Sequence, residues 1–131
     1  MTTQKDMKRI YIAGPMTDIE DLNKTAFYQT EAKLIRNGWE TINPHKLGNL
    51  GLNPNDPYYF PRIMRRDFEK LESCNAIYMM DGWEFSPGAS CEHAYAKVQN
   101  LDIYYEVPLP RSPSYGDEDI ENIENYGGTS D

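Results

Sequence analysis

Nothing in the sequence offers a membrane anchor. No apolar run approaches the roughly 20 residues needed to cross a bilayer, and the opening MTTQKDMKR lacks the apolar stretch of a secretory signal. The chain is therefore expected in the cytoplasm. Cysteine is scarce. Cys74 and Cys91 are the two in 131 residues, and with His45 and His93 they complete no zinc-binding spacing. Both thiols are expected reduced, in or near the core. Positive charge is also short: 13 Lys and Arg against 21 Asp and Glu leave a net charge of −8. That balance excludes a general nucleic-acid binder with a basic face and adsorption to anionic membranes. A G-x-G-x-x-G is missing after the first strand-like segment, which weakens a standard dinucleotide-binding reading. There is no internal repeat.

Hydrophobic residues make up 39% of the chain, adequate for one domain with a single core. Arg9 to Ala13 (RIYIA) reads as a buried strand ended by Gly14-Pro15. Asn23 is the expected N-cap of a helix to about Arg36, with Ala26, Phe27, Thr30, Leu34 and Ile35 at helical spacing and Asn37-Gly38 as its left-handed stop. Trp39 to Ile42 is a second strand. A long proline- and glycine-bearing loop, Asn43 to Tyr59, is of the length that is often functional. A helix from Phe60 or Pro61 to Glu72, a strand from Ala76 to Met80, a helix from Pro87 to Gln99 and a strand from Asp102 to Val107 complete a β-α-β-α-β-α-β order. Such alternation predicts a flavodoxin- or Rossmann-like three-layer sandwich with a parallel sheet of four to five strands and right-handed crossovers. Its ligand crevice lies at the carboxyl ends of the strands, where Gly14, Asn43 and Asp81-Gly82 fall. We place the domain at residues 1–107. Residues 108–131 turn proline-rich and then acidic, with six acidic residues against Arg111. They read either as a disordered solvated tail or as an arm over a neighbouring subunit through Ile120, Ile123 and Tyr126.

Carboxylates in that setting stand out. In the second helix Phe60, Ile63, Met64, Phe68 and Leu71 form an apolar stripe, and Asp67 lies inside it, three residues from Met64 and four from Leu71. A carboxylate buried there costs several kcal/mol unless it is paired. It is either a stripe-edge residue capping a loop or a site residue. In the stretch DGWEFSPGASCEHAYA, Ser86 is a natural helix cap and Pro87 a natural first residue. Cys91, Ala94, Tyr95, Val98 and Leu101 form the expected core stripe. Glu92 flanks it near the positive end of the helix dipole, which favours the ionised form. Read alone, Glu92 is a solvated early-helix residue. Gly88 adds a second reading, because a residue without a side chain lets a ligand approach the backbone, and N–H groups at a helix start hold phosphate. Tyr11, mid-strand, is a core tyrosine whose hydroxyl needs a partner. Trp83 is either a loop plug or a stacking plate for a flat ligand. His93 faces another direction on the helix from Glu92.

RIYIAGPM, RRDFEKLESCNAIYMM and SPGASCEHAYA, in this order, resemble the nucleoside 2-deoxyribosyltransferase superfamily, which includes the 2′-deoxynucleoside 5′-monophosphate N-hydrolases. The similarity spans about Arg9 to Val107. GPMT and GWE-x-S-x-GA-x-x-E resemble most a small branch, common in phage genomes and known as a domain of unknown function, which would put the chain in a host cytoplasm. The resemblance implies a flavodoxin-like sheet and chemistry at C1′ of a deoxyribose. The family nucleophile falls on Glu92, the helix aspartate that handles the proton of the departing base on Asp67, and the first-strand tyrosine that orients the glutamate on Tyr11. Gly14, Pro15, Met16, Trp83, Ser86, Gly88 and Ser90 are the expected substrate-binding residues, with Arg65 and Arg66 as further candidates for a phosphate. Neither a metal nor a cofactor is implied. One departure from the transferases bears on substrate. Six residues before the nucleophile they carry a carboxylate that contacts the sugar; here Ser86 stands there, as the phosphate-contacting serine does in the monophosphate hydrolases.

The resemblance thus implies N-glycosidic cleavage of a deoxynucleotide or deoxynucleoside, by hydrolysis or base transfer, through a glycosyl-enzyme on Glu92, with hydrolysis favoured. The partner is a small nucleotide or nucleoside, with neither nucleic acid nor membrane, and the chain is expected to form a homo-oligomer, since the family often completes its site from a neighbouring subunit. The alternatives are a non-catalytic nucleotide-binding or sequestering protein of the same fold, and an N-glycosidase acting on a nicotinamide dinucleotide.

Overall fold

The short, β-branched and aromatic segments pair as the alternation of elements requires. The structure, a computed structural model, describes residues 8–108. β1 (Arg9–Ala13), β2 (Glu40–Ile42), β3 (Ala76–Met79) and β4 (Asp102–Tyr105) alternate with α1 (Lys24–Arg36), α2 (Tyr59–Glu72) and α3 (Pro87–Val98). Short 3-10 turns lie at Glu20–Asn23, Pro44–Lys46 and Trp83–Phe85. Among the described residues there are four strands, all parallel, in the order β2-β1-β3-β4. The chain leaves β1 to one side and returns to its other side at β3. This reversal makes the carboxyl ends of β1 and β3 the switch point at which such sheets bind ligands.

The register pairs Tyr11 with Ile42 and Ile77, and Ala13 with Met79. Successive strand residues point to opposite faces. Tyr11, Ala13, Ile77 and Met79 therefore pack on one face with Leu71 of α2 and with Ala89 and Ala96 of α3. Ile10, Ile12, Ala76, Tyr78 and Met80 pack on the other with Phe27 and Leu34 of α1. The result is the expected three-layer α/β sandwich. Each fully buried Ile, Leu or Phe contributes about 1.5–3 kcal/mol; Ile10, Ile12, Phe27, Leu71 and Ile77 are all at 0% exposure. Among the described residues, no helix is long and apolar enough to cross a membrane.

Gly38 ends α1 as the Asn37-Gly38 pair predicts. It takes φ +94°, and N–H groups of Gly38 and Trp39 return to the carbonyls of Ile35 and Leu34, closing a Schellman motif. Other local expectations need correction. Ile35 is exposed, and its place on the buried side of α1 goes to Glu31. Thr41 and Asn43 donate hydrogen bonds to Glu31, and Lys46 forms an ion pair with it at 2.9 Å. Burial works against the Glu31 anion, yet these partners together hold its pKa below the ordinary value. Asn23 stands at the start of α1 in a left-handed conformation and does not cap it; its side-chain amide donates to the carbonyl of Pro15. Phe60 is half exposed at the start of α2.

The largest correction concerns α3. Cys91, Ala94 and Val98 face solvent, whereas Ala89, Glu92 and Ala96 are buried. The two sets are adjacent arcs of one helix. The arc with two alanines wins because small side chains let α3 approach the sheet closely over Tyr11, and Glu92 is in line with them at i+3 and i−4. Of the two thiols, Cys74 is buried and Cys91 exposed; both are free. The expectation for residues 109–131, including Ile120, Ile123 and Tyr126, lies outside the described residues.

Candidate active site

Three elements bring three polar side chains singled out by the sequence together on the α2–α3 face of the sheet. Tyr11 rises from the middle of β1, Asp67 descends from α2, and Glu92 projects from the second turn of α3. The Tyr11 hydroxyl donates to Glu92 Oε2 at 2.7 Å, across 81 residues of sequence. Asp67, also buried, lies near enough to the same glutamate for its charge to act on it. Exposure is 0% for Tyr11, 5% for Asp67 and 6% for Glu92, so these are not surface acids. The stripe-edge reading of Asp67 and the solvated reading of Glu92 both give way to a buried carboxylate pair.

Burial decides the electrostatics. It pushes the Glu92 carboxyl well above the ordinary carboxylate range, and the negative charge of Asp67 pushes it further; the hydrogen bond from Tyr11 and the guanidinium of Arg66 oppose the rise. The helix dipole, which favours the anion, does not prevail. Tyr11 is likewise pushed above its ordinary value, first by burial and then by the charges of Glu92 and Asp67. Two carboxylates, Asp67 and Glu92, thus lie together in one dry site.

Packing between α2 and α3 sets this geometry. Phe68, next to Asp67, stacks on Tyr95, three residues beyond Glu92, with ring centres 4.4 Å apart and planes 18° from parallel. The Tyr95 hydroxyl donates to Glu72 at the end of α2. Ser86 caps α3 as its sequence predicts: its hydroxyl oxygen accepts from the Ala89 N–H at 3.2 Å, and Pro87 occupies the first helical position.

The other expected binding residues divide into those near the crevice and those with packing roles. A Cβ on Gly14 would stand 2.8 Å from Met80 Sδ and 2.9 Å from Met80 Cβ, so packing alone demands glycine there. Pro15 follows and abuts Gly82, whose φ of +87° turns the chain after β3. Met16 packs with the α1-side cluster, on the face opposite Tyr11. Gly88 lies against α2, where a Cβ would meet Phe60 Cζ at 3.4 Å. Ser90 points its hydroxyl at the carbonyls of Trp83 and Glu84, tying the turn to the helix. Trp83 packs on His93 with ring centres 4.2 Å apart, and His93 in turn hydrogen-bonds the Tyr105 hydroxyl at 2.8 Å. Trp83 also lines a cavity of about 60 Å³ with Asp81, Gly82, Glu84, Val107 and Pro108. That volume suits a water or two and not a nucleoside, and none of the three central residues borders it. Arg65 is exposed.

Arg66 has a role that sequence reasoning missed. Its Nε and Nη2 donate to Asp67 Oδ1 at 3.1 and 2.8 Å, and its Nη1 donates to the carbonyl of Gly48. Helix neighbours at i and i+1 do not normally face each other; the length of the arginine lets it fold back.

The fold is that of an α/β protein with the architecture of the 2-deoxyribosyltransferases. A 2-deoxyribosyltransferase from the psychrotolerant bacterium Bacillus psychrosaccharolyticus superposes with a TM-score of 0.61 at 16% identity, over 91% of this chain and 92% of that one. A 2-deoxyribosyltransferase from Leishmania mexicana superposes with a TM-score of 0.58 at 20% identity, over 83% and 71% of the two chains. The chain belongs to the family Domain of unknown function (DUF4406), whose profile matches residues 8–105. No curated protein matches it.

Proposed function

We propose that this protein cleaves the N-glycosidic bond of a 2′-deoxynucleotide, with the deoxynucleoside as a poorer substrate, through a glycosyl-enzyme on Glu92. The observation that carries the reading is the buried Tyr11–Glu92–Asp67 cluster beside the sheet's switch point. A structural protein gains nothing from two acids in one dry site, whereas a pair sharing a proton supplies a nucleophile and an acid together. The likeness of fold to two deoxyribosyltransferases supports the same chemistry.

For turnover the proton that burial favours on Glu92 passes to Asp67, leaving Glu92 a carboxylate held by the Tyr11 hydroxyl. Glu92 attacks C1′ as the bond from C1′ to the base nitrogen opens through an oxocarbenium-like state. The base leaves with the bonding electron pair and takes the proton of Asp67. Water then attacks C1′, releases Glu92 and returns a proton to the pair, which gives hydrolysis. A second base in place of that water gives transfer, the reaction of the enzymes whose fold this chain shares. Ser86 favours a 5′-phosphate: it stands at the start of α3, where N–H groups and the helix dipole favour an anion.

Incubation with a panel of deoxynucleoside monophosphates, deoxynucleosides and NAD, with free base followed by chromatography, tests the proposal. Base release from a deoxynucleotide is expected. Release from NAD alone, or tight nucleotide binding with no base released, would replace it with one of the alternative readings.

A further inference from the structure

Arg66 is unlike the other basic residues of α2. Its side chain is 12% exposed, and its nitrogens grip one oxygen of Asp67 and one main-chain carbonyl. That carbonyl belongs to Gly48, in the loop after β2. Gly48 has φ +76°, and a Cβ there would meet nothing within 4 Å, so glycine serves the turn and not a packing need. The loop is itself anchored: Asn43 and Lys46 bind the buried Glu31 of α1. A chain of polar contacts thus runs from α1 through the loop to Asp67.

We propose that Arg66 is a positioning residue for the carboxylate pair: by occupying Asp67 Oδ1 while anchored on Gly48, it leaves Oδ2 free for the reaction and sets a positive charge beside Glu92. Both hydrogen bonds to Asp67 end on Oδ1, and a guanidinium has no acceptor for a proton there. The ionisable groups acting on Glu92 are Asp67 and Arg66 from α2 and Tyr11 from β1. Arg66 is the cation of that set and opposes a build-up of negative charge on two buried acids. This assignment removes Arg66 from the candidates for phosphate binding, and its part in turnover rests on the function proposed above.

Two variants and two readouts test it. The titration of Glu92 is followed by carboxyl-carbon NMR in the free protein labelled at glutamate, which needs no substrate. The pH profile of kcat/KM is measured on a deoxynucleotide and its nucleoside. In Arg66→Gln the Glu92 midpoint is expected to rise by roughly one unit, and the acid limb of kcat/KM to rise with it for both substrates. Arg66→Lys keeps the charge and loses the two-nitrogen grip; its midpoint is expected to stay near that of the wild type while kcat falls about tenfold or more. An unmoved Glu92 midpoint in a folded Arg66→Gln protein would overturn the proposal. So would a loss confined to KM for the phosphorylated substrate, which would make Arg66 a phosphate ligand. If the midpoint moves as expected but no substrate is turned over, the electrostatic assignment stands and the proposed function fails.

Discussion

At Glu92 the cost of burial and the proposed chemistry meet in one residue. Its folded-state pKa lies well above the ordinary value of 4.5. Between the unfolded and folded values the folded protein binds more protons, so stability falls as pH rises through that window. Below about pH 4.5 the penalty vanishes. Glu92→Gln removes it and should raise Tm at neutral pH, with the gain shrinking towards zero at pH 4, while base release is lost by several orders of magnitude. Thermal melts of both proteins at several pH values check the first half and chromatography the second. A Glu92→Gln protein less stable than wild type at pH 8 would contradict the burial argument. Asp67→Asn differs. It leaves the largely buried Arg66 without its counter-ion, so we expect a loss of about 1–3 kcal/mol in denaturant melts together with a collapse of turnover per folded molecule. Normal turnover in that variant would make Asp67 a structural residue.

At the scale of elements, the pairing of α2 with α3 creates the site. Phe68→Ala should cost about 2 kcal/mol or more, since it removes both buried area and the stack on Tyr95. It should also lower kcat, because Asp67 and Glu92 sit beside the two rings; Tyr95→Phe keeps the stack and should keep most of both. Equilibrium unfolding and steady-state kinetics on the two variants separate these effects. Ser86→Ala should cost about 1 kcal/mol through the lost cap. If Ser86 also meets a 5′-phosphate, the same change should lower kcat/KM for a deoxynucleotide by about tenfold or more and hardly affect the nucleoside. Equal losses for both substrates would leave Ser86 a cap and nothing else. The elements themselves were legible from sequence because periodicity and turn residues are local: Gly38 stops α1, and Ser86-Pro87 starts α3. The face that α3 buries was not. Cys91, Ala94 and Val98 make the more apolar arc by composition, but the space above Tyr11 admits only the alanine arc, and that space is a property of the assembled sheet.

For the whole molecule, the strand order is the decisive feature. It places β1 and β3 side by side, so that the tyrosine of one strand and the helix that follows the other meet. Tyr11, Asp67 and Glu92 could be picked from the sequence on physical grounds, since each is a polar group on a face expected to be apolar or aimed at the crevice. Their charge states could not. The dipole at the start of α3 predicts an ionised Glu92, and only the packed structure reveals the burial and the neighbouring Asp67 that outweigh it. The Arg66–Gly48 anchor was hidden for a related reason: it joins a helix to a loop 18 residues away, and no local pattern encodes that contact. The Glu31 network, which steadies the same loop, is legible only after Asn43, Lys46 and Thr41 have converged.

The covalent role of Glu92 is the central claim. Its most direct test is peptide-resolved mass spectrometry after rapid acid quench of the protein mixed with a deoxynucleotide that releases base. The account predicts a deoxyribosyl adduct, with or without the 5′-phosphate, on the peptide containing Glu92, formed as base appears and lost as water or a second base accepts the sugar. Base release with the Glu92 peptide unmodified at every time point, accompanied by inversion at C1′, would contradict it.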